Sequence, residues 1–286
     1  MLDLVKRIKE KLKEKGITGR YILPKTPTGL SSVVISKQHV LEFVVYSYKK
    51  MTYLAKTIAV QDFLDWGKRD YGRPAIDPKK GMLPPKVARI MVNLAFIAYK
   101  RQKTMDRQAV LLDPFCGVGT IPMEALLLGW DIVASDCDLE MVEKTQKNIA
   151  WLKKEYATGG HDEYYSSDAT HISEKIPENS VDAIVTEPNL GPNFEIMPNV
   201  DYVNRVSCGL EKLYIGSLRE WHRLLKTKGL VVIAFPEFRL KTKTIACKKA
   251  IDNCEKLGYT LISGPFLYSR PQAIVTRKIY VLRKNQ

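Results

Sequence analysis

Three stretches of this 286-residue chain place reactive or ligand-holding residue types where they can converge. The first is Asp113-Pro-Phe-Cys-Gly-Val-Gly-Thr120, directly after the apolar run Ala109-Val-Leu-Leu112. Two glycines one residue apart let a backbone come close to a ligand just before a helix begins. At the carboxyl end of a first strand, this is the setting of a nucleotide-like cofactor. The second is a series of acids, Asp113, Asp136 and Asp168, each following a short β-prone run. The third is Thr186-Glu-Pro-Asn-Leu-Gly191 after Val181-Asp-Ala-Ile-Val185. There an acid, a proline and an amide fall where a buried strand should end, although proline, glycine and asparagine also form simple turns.

The loop chemistry selects among cofactors. A dinucleotide-binding loop wants G-x-G-x-x-G, and here Gly117 and Gly119 fit but Pro122 stands in the third position. No G-x-x-x-x-G-K-[ST] phosphate loop occurs, so nucleoside triphosphate chemistry has no support. An acid opening the loop points instead to S-adenosylmethionine, which carries a cationic amino group and a sulfonium and no pyrophosphate. Asp113 would favour that positive end, Asp136 would accept from ribose hydroxyls, and Asp168 would accept from the adenine amino group. The expected cofactor residues are Asp113, Phe115, Cys116, Gly117, Gly119 and Thr120 in the loop. Asp136, Cys137, Asp168 and Ala169 join them at the next two strand ends.

These positions need strands and helices to carry them, and the apolar pattern supplies an alternation. Strands are predicted at 109–112, 131–135, 163–166, 181–185 and 230–235, with helices at 121–128, 139–153, 210–225 and 244–257. The last two strands, 259–264 and 274–282, have no helix between them and must pair as a hairpin, so one runs antiparallel. Alternating strands and helices predict an α/β fold with a mostly parallel sheet covered on both faces. Residues 86–286 form this domain, opened by a helix whose apolar face is Val87, Ile90, Met91, Leu94 and Ala95. Residues 66–85, dense in proline and glycine, read as a linker. Residues 1–65 read as a small α+β unit, with a helix over 1–16 and extended runs at 32–36, 41–47 and 53–60. Lys49-Lys50 suggests a hairpin between the last two.

Bulk properties narrow the classes. No apolar stretch approaches the roughly 18–20 residues of a membrane span, and the first sixteen residues lack the apolar core of a secretory leader. The five cysteines form no C-x-x-C pair and the four histidines do not cluster near them. This argues against a zinc site, any other metal centre or a disulfide framework, and for a reduced, cytoplasmic protein. A net charge of +14 suits a polyanionic partner or a lysine-rich solvated surface.

The order Asp113-Pro-Phe-Cys-Gly-x-Gly-Thr120 resembles the loop of S-adenosylmethionine-dependent methyltransferases acting on exocyclic base amines. It looks closest to the THUMP-associated tRNA guanine-N2 methyltransferases. Arg69-Asp-Tyr-Gly-Arg-Pro74, Gly81-Met-Leu-Pro-Pro-Lys-Val-Ala-Arg89 and Thr276-Arg-Lys-Ile-Tyr-Val-Leu282 are similar to the same group. The resemblance covers about residues 55–286 and implies a Rossmann-like class I methyltransferase fold, a seven-stranded mostly parallel sheet with an antiparallel last strand. Residues 1–65 are too few for a full THUMP module and would be part of one. The partners implied are tRNA or another structured RNA, and a partner protein or dimer completing the RNA-binding surface.

In such enzymes the loop after the fourth strand commonly reads Asp-Pro-Pro-Tyr or Asn-Pro-Pro-Tyr. A side-chain oxygen and the carbonyl beside the proline take the two N–H bonds of the amine, which is otherwise a poor nucleophile. The aromatic ring stacks on the extruded base. The resemblance puts Glu187 in the acid's place, with Pro188 and Asn189 after it and Leu190 where the ring belongs. A second register puts Thr186 in the acid's place and Asn189 in the ring's. Neither register supplies a ring, for which Phe194 or Tyr202 would have to fold over the site. Catalytic roles are expected for Glu187, Pro188 and Asn189. Substrate contacts are expected from Leu190 and, in the lead-in segment, Arg73 and Lys86. The target implied is guanine N2 in tRNA, with adenine N6 of RNA or DNA as the alternative. A small-molecule methyltransferase and a methyltransferase-fold protein that only binds cofactor or RNA also remain open.

Overall fold

A computed structural model describes residues 2–25, 29–78, 81–100 and 108–285. Two compact units, Met1–Gly67 and Lys68–Gln286, divide the chain. The first begins with helix α1 (Leu2–Glu14), whose Asp3 and Lys11/Lys13 complement the helix dipole at its two ends. The run 32–36, expected as a strand from its β-branched residues, is instead helix α2 (Ser32–Lys37). Ser31 Oγ accepts from Val34 N at 3.3 Å, and this N-cap outweighs a weak β preference. Strands β1 (Phe43–Tyr48) and β2 (Met51–Lys56) pair antiparallel as expected. Lys49 and Lys50, at φ 47° and 65°, form the two-residue turn whose twist suits a hairpin. Helix α3 (Phe63–Asp70) follows, capped by Asp62 Oδ1, which accepts from Leu64 N and Asp65 N.

The second unit runs α4 (Pro85–Lys100), β3 (Val110–Asp113), α5 (Thr120–Leu126), β4 (Asp131–Asp136), α6 (Leu139–Tyr156) and β5 (Asp162–Ser166). It continues with β6 (Val181–Thr186), α7 (Val200–Leu224), β7 (Leu225–Arg239), β8 (Thr244–Ala246), α8 (Lys249–Asp252), β9 (Tyr259–Tyr268) and β10 (Val275–Lys284). The sheet order is β5-β4-β3-β6-β7-β10-β9, with short β8 pairing β7 off this path. Strands β3 to β7 are parallel, and β10 is antiparallel to both β7 and β9. The expected antiparallel last strand is therefore present, wedged between β7 and β9. Strand order reverses between β3 and β6, and a crevice at such a reversal is where open α/β sheets bind ligands.

Alternate side chains of each strand feed two cores. Leu111, Ile132, Ala183 and Val185 pack under α4 and α5. Leu112, Val133, Ile184 and Val231 pack under α7, where Tyr214, Leu218 and Trp221 meet them. Burial on both faces explains why these strands read as continuous apolar runs.

Two expected helices differ in the structure. The helix expected from residue 210 starts ten residues earlier, at Val200, where Asn199 Oδ1 accepts from Tyr202 N at 2.8 Å. Polar residues such as Asp201, Asn204 and Arg205 dilute its apolar pattern on the exposed side. The helix expected over 244–257 is broken into β8, the single turn α8 and a 3₁₀ turn at Glu255–Leu257. Thr244 and Ile245 pair with the end of β7 instead of starting a helix.

The segment before α4 is anchored inside the second unit. Arg69 Nε donates to Glu124 Oε1 at 2.7 Å and Arg89 Nε to Glu124 Oε2 at 2.6 Å. Glu124 and Arg69 are both buried. Removing one partner of such a group leaves charge without compensation, at a cost of about 3–5 kcal/mol. Glu124→Ala is expected to lower unfolding free energy in urea by an amount in that range. A change below about 1 kcal/mol would show that the ionic anchor is not needed.

Candidate active site

The site begins at the end of β3. Asp113 is buried, and its Oδ1 accepts from Thr186 Oγ1 at 2.7 Å and from Phe115 N at 3.2 Å. Burial pushes the Asp113 carboxyl up to about 7, with the Asp136 and Glu187 charges adding to the rise and the Thr186 and Phe115 bonds opposing it. An acid that is part protonated near pH 7 is one that a cationic ligand can ionise fully on arrival.

The loop that follows is pinned on three sides. Cys116 N donates to Ser135 O at 2.8 Å, Gly117 N donates to Asp136 Oδ2 at 2.9 Å, and Thr145 Oγ1 donates to Gly117 O at 2.8 Å. The two glycines have different reasons to be glycine. Gly117, at φ +51°, has open space where a Cβ would stand, and its backbone lines the site cavity. At Gly119, φ +83°, a Cβ would lie 2.9 Å from Thr145 Cγ2, so this residue lets α5 start against α6. Close helix packing, assigned to the third glycine in dinucleotide loops, is achieved here by the second. Asn148 Nδ2 donates to Val118 O at 2.7 Å and to Ala75 O at 2.8 Å, which fixes the loop to the lead-in segment.

Asp136 closes β4, and its Oδ1 also accepts from Asp138 N at 3.0 Å. Asp168 Oδ1 accepts from Thr170 N and Thr170 Oγ1, both at 2.8 Å, and these bonds hold its carboxyl below the usual range. Ala169 O accepts from Trp221 Nε1 at 3.1 Å, and the Phe115 ring packs edge-on to Trp221 with centroids 6.3 Å apart. A cavity of about 660 Å³ brings together every expected cofactor residue: Asp113, Phe115, Cys116, Gly117, Thr120, Asp136, Cys137, Asp168 and Ala169, with the exception of Gly119. Among the described residues, its other acids are Asp77, Asp138 and Glu187, against one basic residue, Arg277. This excess of carboxylates suits a ligand bearing positive charge and repels a pyrophosphate.

Glu187, Pro188, Asn189 and Leu190 line the same cavity. Thr186, the competing acceptor, is the last residue of β6, buried and turned onto Asp113, and it does not line the cavity. Glu187 is the first residue past the strand. Its carboxylate is held by Arg277, whose Nε donates to Oε2 and whose Nη2 donates to Oε1 at 3.0 Å. Asn189 shapes the loop: its Oδ1 accepts from Gly191 N at 2.8 Å and its carbonyl accepts from Tyr214 Oη at 2.6 Å. Phe194 does not cap the site. It packs edge-on against Phe238 and Tyr202, at 6.0 and 6.2 Å between centroids, as part of the α7 core.

Arg73 and Lys86, expected on the substrate side, do not line the cavity. Arg73 is buried and donates to Thr120 Oγ1 at 2.8 Å and to Met82 Sδ at 3.2 Å. Burial lowers its guanidinium to about 10. It therefore supports the start of α5 from behind. Lys86 is exposed on the first turn of α4. Trp221, Tyr214, Thr145 and Asn148 carry no motif of their own, and Arg277, though inside the stretch Thr276–Leu282, has no role implied by it; only folding brings these residues to the site.

Comparisons with known proteins agree with this geometry. The model of the RMKL-like methyltransferase domain, UPF0020, matches residues 74–257. A protein of Methanothermobacter thermautotrophicus described as tRNA (guanine(10)-N2)-dimethyltransferase is 36% identical over 172 residues, 59% of this chain and 43% of that one. A Pyrococcus abyssi protein of the same description is 29% identical over 217 residues, 75% of this chain and 52% of that one. The chain thus spans about half the length of these curated relatives. The crystal structure of TrmN from Thermus thermophilus superposes with a TM-score of 0.52 at 20% identity, covering 85% of this chain and 60% of that one, a likeness of fold.

The raised Asp113 carboxyl carries a pH signature. An acid raised in the fold contributes stability fully present below its unfolded value near 3.8 and lost as pH rises through about 7. A cationic ligand reverses the preference by favouring the carboxylate. S-adenosylmethionine affinity is therefore expected to rise from pH 5.5 to about 7.5 and then level, with proton release on binding near pH 6.5. Calorimetry in buffers of different ionisation enthalpy measures both. In Asp113→Asn the affinity should be weak and flat with pH, and a wild-type profile in that variant would remove Asp113 from the cofactor site.

Proposed function

Because the chain belongs to the RMKL-like methyltransferase-domain family, we propose that it methylates the exocyclic amine of an RNA base, guanine N2 in tRNA, using S-adenosylmethionine. The observation that carries this reading is one cavity lined both by the strand-end acids Asp113, Asp136 and Asp168 and by Glu187-Pro188. The description shared by the relatives supports the choice of guanine N2.

When bound, the cofactor supplies an electrophilic methyl on a sulfonium. Asp113 would hold the cationic end, Asp136 would accept from ribose hydroxyls, and Asp168 would accept from the adenine amino group through the oxygen that Thr170 leaves. Each oxygen of the Glu187 carboxylate has lone pairs beyond those used by Arg277. One of these and the Pro188 carbonyl accept the two N–H bonds of the target amine. That arrangement turns the nitrogen lone pair toward the methyl and favours the pyramidal nitrogen of the transition state. The departing proton follows the amine's hydrogen bond to Glu187. Asn189 shapes the turn that aims Glu187 and Pro188, and Leu190 gives the base an apolar contact.

Residues 1–65 would serve as part of a THUMP-like RNA-binding module preceding, in the chain, the methyltransferase domain at 86–286. Phe43, Tyr46, Tyr48, Met51 and Leu54 of the β1–β2 hairpin are exposed. A two-stranded sheet on its own is marginally stable. Both facts favour completion by a partner chain, a second copy or RNA. The reaction would take place in the cytoplasm, among tRNA.

Nucleosides from a tRNA pool treated with the protein and isotope-labelled cofactor should contain labelled N2-methylguanosine by mass spectrometry. Labelled N6-methyladenosine would move the target to adenine, and no labelled nucleoside would overturn the proposal. Glu187→Gln should keep cofactor affinity and cut turnover by about 100-fold. Unaltered turnover would exclude Glu187 as the amine acceptor.

A further inference from the structure

Base-amine methyltransfer needs a flat surface against which the extruded base can rest, and the usual ring position is taken here by Leu190. Phe194 is committed to the α7 core. The cavity lining nevertheless includes Arg277, whose guanidinium is planar, together with Glu187, Pro188 and Leu190. Arg277 and Tyr268 are direct cross-strand partners between β10 and β9. The guanidinium lies over the Tyr268 ring at 5.7 Å from its centroid. Its edge is taken by Glu187 through Nε and Nη2. To make that pair, the side chain crosses β7, which lies between β6 and β10, a span of two strand spacings or about 9–10 Å. An arginine backed by a ring and clamped along its edge cannot swing freely. It is a pre-oriented plane beside the loop that would hold the amine.

We infer that Arg277 is the base-stacking residue of this site, with its guanidinium plane, set by Tyr268 and Glu187, standing where other amine methyltransferases use an aromatic side chain. The inference rests on the base-amine reading of the cavity. Guanidinium planes stack on extruded bases as aromatic rings do. The same geometry ties the plane to the acceptor, because the carboxylate that orients Arg277 also receives the amine. Lysine keeps the charge but has neither the plane nor the two-pronged edge.

The test is a fluorescence titration of a short single-stranded RNA carrying one 2-aminopurine, whose exocyclic amine sits where guanine carries N2, in the presence of S-adenosylhomocysteine. Arg277→Lys should weaken RNA binding by about 5- to 150-fold, the range of a lost base–stacking contact. S-adenosylhomocysteine affinity in the same variant should stay within about twofold. Adding Leu190→Tyr to Arg277→Lys should recover most of the loss, since it returns a ring to the vacant position. Tyr268→Leu, a milder change, should weaken RNA binding several-fold with cofactor product bound as before. Wild-type RNA affinity in both Arg277→Lys and Tyr268→Leu, or no recovery in the double variant, would overturn the inference. The readout is binding, so it is separate from methyl transfer: labelled N2-methylguanosine with an unaffected Arg277→Lys titration would fail the inference alone. A lost titration without any labelled nucleoside would fail the reaction and leave Arg277 as a base-binding residue.

Discussion

The hydrogen bond from Thr186 to Asp113 joins the ends of the two central parallel strands at the point where the strand order reverses. It keeps Asp113 out of water and keeps β3 and β6 level at their carboxyl ends. The cofactor loop leaves from one strand and the amine-holding loop from the other. Their separation, on which any in-line transfer depends, is set by that contact. The same bond removes Thr186 from the cavity and makes Glu187 the first side chain able to enter it.

Charge follows from this frame. Parallel strands ending together gather acids at one edge, and the cavity lining holds Asp113, Asp136, Asp138, Asp168 and Glu187. The nearby Asp136 and Glu187 charges add to the upward shift that burial gives Asp113. Arg277 answers part of that burden from the antiparallel strand. Burial acts to lower its guanidinium, but the bonds to Glu187 outweigh this and hold it firmly charged. A strand running the opposite way is useful here: it delivers the start of β10 to the edge where the parallel strands end.

The support around the loop is drawn from every helix layer. Thr145 and Asn148 come from α6, Trp221 and Tyr214 from α7, and Arg73 from the segment before α4. Each donates at least one hydrogen bond to a backbone carbonyl or a hydroxyl, and each is largely withdrawn from water. Such bonds strengthen in a dry interior. They give the loop a fixed shape before any ligand arrives, which is the preorganisation that transfer chemistry needs.

By itself, the sequence determined the alternating fold, the strand ends and the chemical character of the cofactor loop. Those features rest on local patterns: apolar runs for buried strands, a G-x-G loop after the first, and an acid at successive ends. It misread 32–36 and 244–257 because β-branched and apolar runs of that length suit either state, and a cap or a pairing strand decides between them. It also could not separate the role of Gly117 from that of Gly119, since only the packed Thr145 side chain does so. The role of Arg277 was beyond its reach for the same reason. The residue falls in the family-like stretch Thr276–Leu282 but lies 90 positions from Glu187, and nothing local ties the two together until the sheet order sets β10 beside β7. Tertiary structure alone decided which acid is buried, which is paired and which arginine lines the cavity, because burial and pairing are properties of neighbours distant in sequence.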